Sequence, residues 1–313
     1  MKKCICILLL ISLVAGCKPT SAPALDTINL PPNPAAVNIN PRGCAEDEYS
    51  ASNERIGVMK STNGGESWKF LGHACFHTPE LAPVDIDPIL IDGSLSLYFV
   101  DFMSFASGMI RTAYRAFTSD GVLFSQPVPV YTSTTEQFTD PYVLRMNNGD
   151  LIMYMSDVGG IRVTVSKDQG ATFTSIGMVS IGLSVPGALL LPDGRVRLFG
   201  GTQAPGLDIF AANSPDGLSN FILDTLPTIK RDSADMVSDA HPIPLRRGGY
   251  LMAYKVRPSG AGDDPVKDLV YLARSEDGHR WMPGASSIVK GSVPSILELP
   301  DGTLLLYYVD FNY

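Results

Sequence analysis

Three aspartates stand at the entrance to apolar, strand-like runs. They are Asp87 in Asp85-Ile86-Asp87-Pro88, Asp140 in Thr139-Asp140-Pro141 and Asp239 in Asp239-Ala240-His241-Pro242. Asp101, Asp157 and Asp310 stand where such runs end, and Glu136 lies in the loop leading to Asp140. Carboxylates brought to one point can carry out acid–base chemistry on a glycosidic bond. One must hold a proton to release the leaving group, and the other must be ionised to activate water or attack. Repulsion between them raises one pKa and so separates the two roles. Arg111, Arg162, Arg257 and Lys255 add donors, and Phe102, Phe105, Phe311 and Tyr313 add flat apolar faces. Sugar hydroxyls and C–H faces need such partners. The competing reading is structural, because Asp before Pro often caps a turn.

The elements that must position these residues repeat along the chain. Pro88-Ile89-Leu90-Ile91, then Asp92-Gly93, then Leu95 to Val100 read as a hairpin. The same design recurs around Asn148-Gly149, Asp193-Gly194, Gly248-Gly249 and Asp301-Gly302. Asp-Gly or Asn-Gly between apolar runs is a strong short-range hairpin signal. The flanks are rich in Val, Ile, Leu and Tyr, which suit pleated, buried strands. A second feature alternates with the hairpins. Ser61-Thr62-Asn63-Gly64-Gly65-Glu66-Ser67-Trp68 and Ser166-Lys167-Asp168-Gln169-Gly170-Ala171-Thr172-Phe173 share one pattern. Thr118 to Gly121, Ser214 to Gly217 and Ser275 to Gly278 are tighter variants, followed by Phe124, Phe221 and Trp281. Asp or Asn caps such a turn, Gly takes its left-handed position, and the aromatic is expected to pack between adjacent sheets.

These five loops resemble the Asp boxes of sialidases and related propellers. Hairpin plus loop gives four strands in about 50 residues, the size of a propeller blade. Four such units run from about 85 to 284, after the pattern of repeat architectures. A lone hairpin, Pro294 to Val309, ends the chain, and a lone strand pair, Arg55 to Leu71, begins it. The two fragments are complementary. The expected fold is therefore all-β, a five-bladed β-propeller whose ends join in one blade, which removes open sheet edges. Six blades, as in sialidases, would need a further unit in residues 18–54, which carry no strand pair. In a propeller, the starts of the innermost strands converge on one end of the axis. That resemblance, and not the periodicity, gathers Asp87, Asp140, Asp239 and His241 there, with Asp101, Arg111, Asp157, Arg162, Arg257, Asp310 and Phe311 around them as candidate substrate-binding residues.

Asp87-Pro88, with its apolar strand and Asp92-Gly93, resembles the first-blade motif of five-bladed arabinanase and β-xylosidase-type glycosidases. The resemblance implies a general base at Asp87. Asp140-Pro141 resembles their second-blade motif, which implies a residue that orients and tunes the acid. His241 is similar in type to a histidine those enzymes place near an axial metal or water; its plainer reading is a hydrogen-bonded pocket histidine. The family's third-blade acid has no counterpart in Ser184-Val185-Pro186-Gly187. Asp239 and Glu136 are the expected substitutes. A sialidase reading would need an arginine triad, for which Arg111, Arg162 and Arg257 are the only suggestion. A non-catalytic glycan- or protein-binding propeller needs no acid at all.

The ends and the composition set the context. Met1-Lys2-Lys3 followed by an apolar run to Ala15 reads as a secretory signal, 1–16. Small residues before Cys17 resemble the bacterial lipobox, which implies a lipid on Cys17 and attachment to the cell membrane (the outer membrane in a Gram-negative cell). Residues 17–43 are proline-rich and read as a tether, with the propeller in 44–313. A net charge of −8 argues against nucleic acid or an anionic lipid surface as partner. Carbohydrate or a glycoconjugate is the expected partner, and a monomer the expected state. Of five cysteines, Cys44 and Cys75 remain in the folded part, where export permits a disulfide. No cofactor or metal is expected. There is no phosphate loop, Gly-x-Ser-x-Gly elbow or Cys-x-x-Cys pair, and His73 and His77 read as loop residues.

Overall fold

The computed structural model describes residues 55–76, 81–101, 111–202, 208–230, 235–262 and 264–311. The signal peptide, Cys17, the tether, Cys44, His77, Phe102, Phe105 and Tyr313 lie outside these residues. Strands in the described residues form five antiparallel sheets in a ring, a five-bladed propeller. Blade 1 contains Pro83–Ile91, Ser94–Asp101, Arg111–Thr118 and Val128–Ser133. Blade 2 contains Thr139–Arg145, Leu151–Asp157, Gly160–Ser166 and Thr174–Val179. Blade 3 contains Leu183–Leu190, Val196–Thr202, Ile209–Ser214 and Ile222–Leu223. Blade 4 contains Met236–Pro244, Tyr250–Arg257, Leu269–Ser275 and Met282–Pro283, with Val289–Lys290 also paired to its third strand. Blade 5 joins the two ends of the described chain. Ser292–Glu298 and Leu304–Asp310 come from one end, Arg55–Ser61 and Lys69–His73 from the other. Arg55 lies opposite Asp310 and Ser61 opposite Leu304, so the complementary fragments close the ring as expected.

The second strand of each blade is covered on both faces, so it reads as a mostly apolar run without strict alternation; Leu304–Asp310 is buried throughout. The core is a set of clusters between blades. One joins Tyr98 and Val100 of blade 1 to Leu151, Met153 and Phe173 of blade 2. The hairpin of blade 1 turns in two residues, Asp92 and Gly93, both at positive φ (50° and 80°), the geometry that matches strand twist. In the other four blades Gly149, Gly194, Gly248 and Gly302 donate their N–H to a carbonyl three residues back.

The five loops of the second pattern share one hydrogen-bond plan. The hydroxyls of Ser61, Thr118, Ser166, Ser214 and Ser275 accept the N–H of Gly65, Gly121, Gly170, Gly217 and Gly278 at 2.8–3.0 Å. The same hydroxyls donate to Asn63, Asp120, Asp168, Asp216 and Asp277. Each following aromatic then packs between blades. Phe173 meets Tyr98, Phe221 meets Tyr154 and Trp281 meets Phe199, all edge-on at centroid distances of 5.8, 6.3 and 5.8 Å. Tyr98, Tyr154 and Tyr307 also donate to Gly170, Gly217 and Gly121 of the next blade, at 3.2, 2.7 and 2.9 Å. These loops are therefore stitches between blades.

Candidate active site at the propeller axis

Every innermost strand carries the same irregularity near its start. The ladder with the second strand skips two residues between Val84 and Asp87, Thr139 and Tyr142, Ser184 and Gly187, Ser238 and His241, and Ser292 and Ser295. The first skipped residue is in each case at positive φ: Asp85 (53°), Asp140 (51°), Val185 (53°), Asp239 (53°) and Val293 (46°). Such a bulge bends the strand and re-aims one side chain. The five bulge residues line one pocket on the axis, together with Pro141, Pro186, Ala240 and Pro294. Three of the five are carboxylates, from blades 1, 2 and 4. The cavity among them measures about 30 Å³, room for about two water molecules and not for a sugar ring. A larger ligand must rest above it and reach in with a single group.

Burial and mutual repulsion raise two of the three carboxyls. Asp85 is pushed well above the usual carboxylate range, first by burial and then by repulsion from Asp140 and Asp239; the Asp140 N–H and Lys255 oppose this. Asp140 is also raised, first by burial, with Asp239 repelling it and Thr139, Ser156 and Lys255 pulling the other way. Its Oδ2 accepts the Thr139 hydroxyl at 2.6 Å, and its N–H points to Asp85 Oδ2 at 3.4 Å. Asp239 is ion-paired with Lys255 and accepts the Ser238 hydroxyl at 3.0 Å.

Asp87 sits one layer deeper, outside this ring. It is 2 % exposed, and both oxygens are engaged: Oδ2 accepts the Val143 N–H at 2.8 Å, and Oδ1 pairs with His241 Nε2 at 2.7 Å. His241 Nδ1 lies 3.2 Å from the Ile296 N–H and accepts it, so Nε2 carries the proton given to Asp87. Tyr142 packs on the imidazole at 4.9 Å and donates to the carbonyls of Ala188 and Pro242, both at 2.7 Å. Asp87, Tyr142 and His241 thus plug the axis and form the pocket floor. The expectation of a base at Asp87 is corrected on this point: the blade 1 carboxylate equivalent to Asp140 is Asp85. The chain did contain the signal. Six residues separate Asp85 from Ile91, as they separate Asp140 from Met146, Val185 from Leu191, Asp239 from Leu245 and Val293 from Leu299. Alignment on the proline concealed it.

The remaining expected residues are held elsewhere. Glu136 pairs with Arg162 Nη1 at 2.7 Å and accepts the Tyr131 hydroxyl. Arg162 also grips Asp157 Oδ2 through Nε and Nη2 at 2.9 and 2.7 Å. Arg111 donates to Gln137 Oε1 at 3.0 Å. Arg257 makes a two-pronged bond to fully buried Asp268 at 2.6 and 2.8 Å. Arg111 and Arg162 thus meet neighbouring residues of one loop, Gln137 and Glu136, while Arg257 is held by Asp268 of blade 4. Asp101 accepts the Ala82 N–H at 2.9 Å, Asp310 pairs with His73 at 3.0 Å, and Phe311 packs on a core cluster of blades 5 and 1. Lys255, one of the donors named from the sequence, is ion-paired with Asp239 of the axial ring. Cys75 is disulfide-bonded, and its partner lies outside the described residues.

No protein-family model matches the sequence, and no curated protein is similar to it. Solved structures are similar in fold. The endo-arabinase from Bacteroides thetaiotaomicron VPI-5482 matches with a TM-score of 0.54 and 13% identity, over 71% of this chain and 88% of that one. A family 117 glycoside hydrolase from the marine bacterium Zobellia galactanivorans matches with a TM-score of 0.53 and 12% identity, over 74% and 85%. The Penicillium chrysogenum α-L-arabinanase, solved with arabinobiose, matches with a TM-score of 0.51 and 14% identity, over 73% and 78%. At these identities the likeness establishes the architecture alone: the chain folds as a five-bladed β-propeller of the kind these glycoside hydrolases use.

Proposed function

We propose that this protein is a glycan-active propeller with a glycoside hydrolase-like site at its axis, held at the cell envelope by a lipid on Cys17. The observation that carries the reading is the ring of Asp85, Asp140 and Asp239 around one small pocket. Glycoside hydrolysis needs one carboxyl that keeps its proton and one that does not. Asp85, whose carboxyl burial and its two acidic neighbours push up, suits the acid. Asp239, paired with Lys255, suits the carboxylate that activates water or attacks. Asp140 stands beside Asp85 and tunes it. This assignment moves the acid from Asp239 and Glu136, and the base from Asp87, because each of those groups is already committed to a partner.

One observation favours a second reading, a glycan-binding propeller without catalysis. The blade 3 position holds Val185, where the resemblance to arabinanases and xylosidases called for an acid. Aryl glycosides and polysaccharides incubated with the purified protein separate the two, with Asp85→Asn and Asp239→Asn alongside. Turnover that falls at least about 100-fold in both variants supports the enzyme. Absence of turnover, with glycan-array binding that survives both substitutions, supports the binder. For the anchor, Cys17→Ser is expected to release the protein from the membrane fraction, and its retention there would refute the lipid.

A further inference from the structure

Lys255 lies on the second strand of blade 4 with its side chain 12 % exposed and its Nζ on Asp239 Oδ2. Among the described residues it is the cation that borders the axial ring. Arg257, two residues on, is turned to Asp268, and Ser292 Oγ also donates to Asp268 at 2.9 Å. The ring itself is asymmetric. Asp85 and Asp140 come from adjacent blades, while Asp239 is flanked around the axis by Val185 and Val293. One ammonium therefore serves three carboxyls from one side.

We propose that Lys255 is the positioning residue of this ring: its ion pair holds the Asp239 carboxylate in place on blade 4, and its ammonium acts from that side on Asp85 and Asp140 across the pocket. The inference rests on the proposed function for its catalytic meaning, but its physical content does not need turnover. The charged groups around Lys255 are Asp239 on the neighbouring strand, Asp268 before the third strand, Arg257 on its own strand, and Asp85 and Asp140 across the pocket. Burial pulls its own ammonium down, but attraction to Asp239 and Asp268 outweighs burial and holds it above the usual lysine range. Lys255 therefore stays charged, and its field favours ionisation at both Asp85 and Asp140.

The test is a pH titration of the full chain labelled with ¹³C at the aspartate carboxyls. Asp85 and Asp140 signals are assigned by substitution. In Lys255→Met their steps are expected to move up by about one pH unit or more, because the positive charge that favours their ionised forms is lost. Lys255→Arg is expected to restore them. Lys255→Met orphans the Asp239 carboxylate and can unfold the blade, so Lys255→Met/Asp239→Asn is measured as well. That double variant loses both charges, and its steps are expected near those of the native protein. Steps that stay in place in every variant, or that move equally in the single and double variants, overturn the proposal. If glycans are cleaved and the steps do not move, this inference alone fails. If the steps move and no glycan is cleaved, the enzymatic reading alone fails.

Discussion

His241 reaches from blade 4 to Asp87 of blade 1, its Nε2 2.7 Å from Oδ1, while its Nδ1 holds the Ile296 N–H of blade 5. With the Val143 N–H on the other carboxyl oxygen, this one pair ties four of the five blades together. A ring of sheets has few covalent constraints on its centre. A buried, fully partnered polar pair there fixes the relative rotation of the blades, which apolar contact leaves loosely specified.

Removing one member should cost far more than its share. His241→Ala or Asp87→Ala is expected to destabilise the fold by about 3 to 5 kcal/mol, because the remaining group is buried without its partner. The double variant is expected to cost less than the sum by about 1 to 3 kcal/mol. Urea denaturation of the four proteins measures this; additive losses would show that the pair is not coupled.

Stability should depend on pH with opposite signs at the two ends of the blades. Asp85 and Asp140 bind protons more tightly when folded. Their contribution is complete below the ordinary carboxylate pKa of about 4 and is lost as pH rises through their higher folded values. Asp168 is held at about 2, first by the Thr172 hydroxyl and N–H, and Asp277 at about 2, first by the Arg280 and His279 N–H groups. Their contribution is present above about pH 4 and is lost as pH falls toward 2. Asp85→Asn is expected to flatten the fall in Tm above pH 4 and leave the acid limb intact. An unchanged upper limb would mean that Asp85 does not titrate there.

The stitches between blades can be tested by crowding one of them. Gly170 has φ +78°, and a Cβ there would lie 2.0 Å from the Tyr98 hydroxyl. Gly170→Ala is expected to cost about 2 to 3 kcal/mol, through backbone strain and overpacking. Tyr98→Phe alone costs about 1 kcal/mol for its lost hydrogen bond. Combined with Gly170→Ala it removes the clashing atom, so the double variant should be more stable than Gly170→Ala. A double variant that is less stable would place the strain elsewhere.

Val185 sits at φ 53°, a conformation that β-branched residues resist. The bulge persists there with no carboxylate to aim, so it belongs to the fold and not to the chemistry. Val185→Asn is expected to raise stability by about 1 kcal/mol, since Asn tolerates this region. Thermal unfolding would show it; a loss of similar size would mean that Val185 packing outweighs its backbone strain.

Much of this molecule was legible before its structure. Periodic hairpins, turn glycines and five Ser/Thr-Asp-Gly loops are local signals, because turn chemistry and alternation act over a few residues. They settled the strand order, the five blades and the closure of Arg55–Ser61 against Leu304–Asp310. The resemblance to propellers, and not these signals, is what gathered a cluster of aspartates at the axis, with Asp140 and Asp239 among them. What tertiary structure alone decided was how each axial carboxyl is partnered. A two-residue bulge in each innermost strand moves Asp85 into the ring and Asp87 beneath it; the six-residue spacing to the hairpin turn marks this in the sequence, but the skipped pair leaves no mark on the apolar pattern. The partners of Glu136, Arg162, Arg257 and Lys255 were equally hidden, because each pairing follows from how strands and loops distant in the chain are brought side by side. Local propensity is written in the order of residues; the charge that one buried group feels from another depends on distances that exist only once the ring has closed.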